Sequence, residues 1–165
     1  MARESKKELI EQILLASRAE HNQVDVFDDA ACERLGVNRT DLRCLDILGQ
    51  RGPLTAGELA AAAQLTTGAV TAVVDRLERV GYARRLDDPT DRRRVMVEAT
   101  GKVHRRSWAI WGPLAADVTA LLRGYTAEEL RLILDFLTRG SEVQREHLAR
   151  VKQGTASMRD GRHSR

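Results

Sequence analysis

A chain of 165 residues with 31% charged and only 4% aromatic side chains suits one domain, or a small module with added helices, and argues against a β-sandwich. Its net charge is only +3, and no apolar run approaches the roughly 20 residues needed to cross a bilayer. Cys32 and Cys44 fit no metal-ligand spacing and no disulfide framework, and the opening MARESKKELIEQ lacks a signal-peptide pattern; a reduced, cytoplasmic setting is expected.

From Lys6 to about Leu35 the apolar positions Leu9, Ile13, Ala16, Val24, Phe27, Ala31 and Leu35 predict one long helical segment, closed by Gly36. Acidic Asp25, Asp28 and Asp29 predict a bend or break in it. Asn38 with Asp41 at the third helical position predicts a capped helix bearing Leu42, Leu45, Ile47 and Leu48, stopped at Gly52-Pro53. Thr55-Ala-Gly-Glu58 is a capping-box pattern, opening a small helix from Ala56 to Ala63. After a tight connector at Gln64-Leu65, Thr66 caps a helix from Thr67 to Val80 that Gly81 ends.

Beyond Gly81 the period becomes alternating. Tyr82–Leu86 and Val95–Ala99 predict two short strands joined by a charged loop with a proline turn, a β-hairpin. Thr100 is expected to cap a helix reaching about Arg123, with a kink at Gly112-Pro113. Thr126-Ala-Glu-Glu129 is a further capping box, opening a last helix with Leu130, Ile133, Leu134 and Leu137 that fades near Lys152. Four segments follow: an N-terminal helix (1–36), a central module (37–101), linker and C-terminal helices (102–152), and a basic, disordered tail (153–165).

Two short helices, a tight turn and a hairpin with an arginine-rich tip make a winged helix-turn-helix. The fold class is therefore mainly α with a small β-hairpin wing, flanked by N- and C-terminal dimerisation helices. Val70, Val73, Val74 and Leu77 form one apolar stripe of the second short helix. Its other face shows Gly68, Thr71, Ala72, Asp75 and Arg79, with Thr67 at the start and Arg76 on the flank. Small side chains let such a helix sit deep in a major groove, and threonine groups can meet a thymine methyl or a phosphate. The amides at Thr66 and Thr67 suit a phosphate oxygen. For this helix alone, a merely solvated face explains the residues equally well.

The hairpin decides between them. Positive charge gathers in two stretches: residues 84–106 hold eight Lys/Arg against four Asp/Glu, and 139–165 hold seven against three. Arg92, Arg93 and Arg94 cluster beside Asp88 and Asp91. The carboxylates can hold one guanidinium while another projects toward a narrow minor groove, where the potential is most negative.

In order and spacing, Pro53–Ala60, Val70–Glu78, Gly81–Arg93 and Thr100-Gly101 resemble MarR-family regulators from about Asn38 to Gly101, and the Asp-Pro-x-Asp-Arg-Arg wing is the sharpest signature. The resemblance implies a homodimer with intertwined terminal helices, two wings on a pseudo-palindromic double-stranded DNA operator, and repression relieved by a small phenolic or aromatic-acid effector. It implies Arg93 as the minor-groove arginine, Asp91 as its brace, and Thr67, Thr71 and Arg76 as groove-facing positions. The chain departs from the common pattern at Ala72, where methyl contacts or shape readout take the place of a longer polar side chain. The expected DNA-binding set is Thr66, Thr67, Gly68, Thr71, Ala72, Arg76, Arg92 and Arg93.

The dimer also has a basis in the residues: the apolar positions of 5–35 and 103–152 exceed what a 60-residue head can cover, so a second copy is the expected cover. In relatives a pocket forms between the first two helices and the one carrying the tryptophans, which makes His21, Cys44, Trp108 and Trp111 its candidate lining. Aromatics at helical spacing more often belong to a core, the reading favoured for both tryptophans. A redox sensor at Cys32 or Cys44 is a rival to ligand control, weakened because both lie in apolar-periodic helices. The four histidines are dispersed, so no metal site and no cofactor is expected. An enzyme would need a nucleophile–base pair or a glycine-rich phosphate loop, and neither is visible. A helical interaction module without DNA would have no use for the arginine-rich wing.

Overall fold

The computed structural model describes residues 4–88 and 94–160, with backbone alone over 153–160. Among the described residues six helices and three short strands follow in the order α1 (Lys6–Leu35), α2 (Arg39–Arg51), β1 (Leu54–Thr55), α3 (Ala56–Ala63), α4 (Thr67–Arg79), β2 (Ala83–Asp87), β3 (Val95–Ala99), α5 (Gly101–Leu122) and α6 (Ala127–Asp160). The chain divides into two compact units, Met1–Pro113 and Leu114–Arg165. The mainly helical winged architecture predicted from the sequence is the one observed.

Helix boundaries follow local chemistry. Ser5/Glu8, Asn38/Asp41 and Thr55/Glu58 each close a reciprocal capping box, and Thr126/Glu129 makes the same pair of bonds at the start of α6. Each satisfies two amides that a helix start leaves orphaned. The Thr66 hydroxyl accepts from the Ala69 amide at the start of α4. Gly36 and Gly81 take left-handed φ values of 70° and 73°, which lets the chain leave α1 and α4 sharply.

Four local expectations need correction. Helix α1 runs unbroken through Asp25, Asp28 and Asp29, because Arg39 at the start of α2 binds all three carboxylates, at 2.5, 2.9 and 3.5 Å. The Thr100 hydroxyl does not cap α5; it donates to the Gly81 carbonyl at 2.8 Å and ties the wing's base to the end of α4. The wing sheet has three strands, in the antiparallel order β1-β3-β2, with Leu54 opposite Val97 and Thr55 opposite Met96. Helix α6 continues to Asp160, past the expected end near Lys152.

The core lies in the first unit. Leu35, Cys44, Leu45, Leu48, Leu59, Ala63, the α4 stripe Val70/Val73/Val74/Leu77, Tyr82, Val97 and Val103 form one buried cluster. Burying such aliphatic side chains stabilises by about 1.5–3 kcal/mol each, and here that burial fixes α3, α4 and the sheet against α2. Pro113 lies inside α5 and brings no amide hydrogen to the helix ladder. In the second unit no described side chain of residues 114–152 is buried; Leu114, Val118, Leu121, Leu132, Leu134, Phe136, Leu137 and Val143 are exposed.

Candidate nucleic-acid interface

The face of α4 opposite its buried stripe carries Thr67, Gly68, Thr71, Ala72, Asp75 and Arg79, all exposed. A Cβ added at Gly68 would meet nothing within 4 Å, so the helix start presents bare backbone. The amides of Thr67 and Gly68 precede the i−4 ladder and have no helical acceptor. The Thr71 hydroxyl donates to the Thr67 carbonyl at 3.1 Å, which fixes its rotamer. Thr67, Gly68, Thr71 and Ala72 thus make a low ridge of small residues and hydroxyls, with Asp75 and Arg79 beyond it.

Several charged groups around the ridge are paired within the protein. Arg85 of β2 donates to Asp75 at 2.7 Å and grips Glu78, joining wing to helix and masking the two carboxylates of α4. Arg84 holds Glu98 across the sheet at 2.5 Å. Arg94 meets Glu58 of α3 at 3.3 Å and Asp88 at 3.8 Å. Asp88 is thus a carboxylate that holds one wing arginine at the root, while its amide closes the hairpin on the Arg94 carbonyl at 3.0 Å. The residues expected at the tip, Asp91, Arg92 and Arg93, lie outside the described residues.

Arg76 departs most from expectation. Its Nη2 and Nε donate to Asp41 of α2 at 2.5 and 3.2 Å, and the Asp41 side chain is only 4% exposed. In the sequence Asp41 is legible solely as the capping partner of Asn38. No local pattern links it to a residue 35 positions away. Nor was Tyr82 found: its buried phenol donates to the Leu35 carbonyl at 3.0 Å and accepts from Arg106 at 2.8 Å, with Lys102 5.4 Å from its ring centre. One side chain joins the end of α1, the foot of the wing and α5.

The four candidate pocket residues have different surroundings. Cys44 is 0% exposed, in the core. Trp111 meets Phe27 of α1 edge-on, ring centres 6.1 Å apart. His21 is exposed. Trp108 is 74% exposed and lies against Gly112, where a Cβ would come within 3.1 Å of its ring. The reading of Trp108 as core is therefore corrected, and Trp111 packs at the core's edge. Burial raises both thiol pKa values, with Arg39 partly opposing it at Cys32. Both thiols are thus protonated at neutral pH, and neither is a ready nucleophile.

Among the described residues no helix is long and apolar enough to cross a membrane, and no group of three or more His, Cys, Asp or Glu is placed to hold a metal ion. A capped pair of short helices, a recognition helix with an open small-residue face and a three-stranded wing define the winged helix-turn-helix class of DNA-binding regulators. Residues 37–95 match the MarR family model. The HTH-type transcriptional regulator YcgE of Bacillus subtilis is 40% identical over 151 residues, 92% of this chain and 98% of that protein. The chain belongs to the MarR family of transcriptional regulators. Transcriptional regulator Tm0710 of Thermotoga maritima superposes with a TM-score of 0.58 at 25% identity, over 86% of this chain and 98% of that one. NadR, in complex with 4-hydroxyphenylacetate, superposes with 0.57 at 23%, over 84% and 96%.

Proposed function

We propose that the protein is a cytoplasmic homodimeric repressor that binds a pseudo-palindromic operator and leaves it when a small aromatic ligand binds. The observation that carries this reading is the α4 ridge: Thr67, Gly68, Thr71 and Ala72 are small or hydroxylic and exposed, and the two carboxylates of the helix, Asp75 and Glu78, are paired with Arg85. Unmasked, they would repel phosphate. The Thr67 and Gly68 amides take a phosphate oxygen, Thr66 holds the helix start, and Thr71 and Ala72 offer methyl groups to thymine. Arg93, braced by Asp91 and flanked by Arg92, enters the minor groove.

Residues 37–101 act as the reading head, while residues 1–36 and 102–152 contribute the dimer contacts. Leu9, Ile10, Ile13 and Leu14 of α1, and Leu132, Leu134, Phe136 and Leu137 of α6, are exposed in the single chain. Uncovered apolar area of this extent marks an interface, and a two-fold pairing would set half-sites one helical turn apart. NadR's complex with 4-hydroxyphenylacetate supports an aromatic acid as effector, with Trp108, Trp111, His21 and Cys44 as the proposed lining of its site.

Titration of a duplex from the gene's own upstream region tests the reading. Binding should weaken steeply with salt as bound phosphates lose their counterions, and Arg93→Ala should cost about 1–3 kcal/mol. Salt-independent or absent binding would refute it. Release of the duplex by small aromatic acids, and by no aliphatic acid of equal charge, tests the effector.

A further inference from the structure

We infer that Arg76 is a positioning residue: its two-point grip on buried Asp41 sets the rotation of α4 on α2, and operator affinity depends on that grip rather than on contact between Arg76 and DNA. The inference rests on the operator-binding reading and deepens it by removing one side chain from the expected contact set.

The geometry is a fork. Nη2 reaches Oδ1 at 2.5 Å and Nε reaches Oδ2 at 3.2 Å, the planar match that arginine makes with a carboxylate and lysine cannot copy. Asp41 has little water to turn to, and Oδ2 already serves the Asn38 amide at 3.5 Å. On α4, Arg76 lies beside buried Leu77 and one turn beyond buried Val73. The Val70, Val73 and Val74 stripe is short-armed and resists rotation weakly; a charged fork at its edge holds the helix to one angle. Removing Arg76 would leave the buried Asp41 carboxylate poorly solvated, which forces the helices apart or admits water, and removing the Asp41 charge frees the half-exposed Arg76 to turn to solvent. Groove contacts by Thr67, Thr71 and Ala72 all depend on that angle.

The test compares the full chain with Arg76→Gln, Asp41→Asn and the double variant, on the upstream duplex and on a random duplex of equal length across a salt series. Circular dichroism fixes the folded fraction. Each single variant should bind the upstream duplex about tenfold more weakly per folded molecule. The double variant should be no weaker than either single one, because the two act as a unit. The slope of log K against log salt should match that of the wild type, as should binding to the random duplex. A slope reduced by about one phosphate's share in Arg76→Gln, with Asp41→Asn unaffected, would overturn the inference in favour of a backbone contact. Relaxed preference at one base pair in Arg76→Gln alone would overturn it in favour of base reading, and unchanged affinity in both would reduce the pair to a stabiliser. Should Arg76→Gln fail to fold, Arg76→Lys substitutes: weaker upstream binding at wild-type slope supports the inference, and wild-type affinity overturns it. Failure of the wild type to bind in a salt-dependent way would instead sink the operator-binding reading itself.

Discussion

The two units use the same kind of helix for opposite ends. In the first unit the α4 stripe is buried to within 1% of its surface, packed on α2, α3 and Tyr82. In the second, α6 repeats the same spacing at Leu130, Ile133, Leu134 and Leu137, yet none of the four is buried, and Leu134 and Leu137 are 65% and 59% exposed. Amphipathic period shows that a face will be covered, not what covers it. The reading head finds its cover within the chain; the terminal helices, as we propose, find theirs in a second copy.

Breaking each kind of cover should give different signatures. Leu77→Ala should cost about 2–5 kcal/mol by leaving a cavity in a core that cannot collapse; denaturant unfolding would measure it, and the loss from this site should be the same at every protein concentration. Leu134→Glu with Leu137→Glu should convert the chain to monomers, seen by sedimentation as a mass that no longer rises with concentration. If those leucines are simply solvated, the variant will sediment as the wild type does.

A finer cut falls on the junction between α1, wing and α5. Tyr82→Phe leaves the Leu35 carbonyl and Arg106 without their phenol partner and should destabilise by about 1–3 kcal/mol. Hydrogen exchange would sharpen the point, with faster exchange expected at the end of α1 and the foot of β2. The smallest effect concerns acid. Hydrogen bonds from the Thr55 hydroxyl and amide hold the Glu58 carboxyl below its ordinary 4.5, and Ser5 and Thr126 do the same for Glu8 and Glu129. Depressed folded values mean stability that is present above 4.5 and lost as pH falls through the lowered ones. Glu58→Gln should flatten the acid limb of a pH–stability curve slightly, and an unchanged limb would show that this cap contributes nothing.

What was legible in the sequence was local or periodic. Capping boxes at Asn38, Thr55 and Thr126, the α4 stripe and the change of period at Gly81 all declare themselves within a few residues, and they fix the winged architecture. Strand β1, two residues long, is too short to alternate, and it exists only because β3 has a free edge beside it. Asp41–Arg76, Arg85–Glu78 and Tyr82–Leu35 depend on tertiary approach between residues that carry separate, sufficient local explanations. Thr100 shows the same competition: a good helix cap by sequence, its hydroxyl is taken by the Gly81 carbonyl once α4 and α5 are brought together.

Operator binding through the α4 ridge and pairing with a second copy can be read in one experiment. Light scattering of the protein alone, and of its complex with the upstream duplex at low and high salt, gives mass and stoichiometry together. Twice the 18.4 kDa chain mass is expected in free solution, with two chains on each duplex at low salt, and loss of the complex while the dimer survives as salt rises. A monomer in solution, or a dimer that never binds the duplex at low salt, would contradict the proposed function.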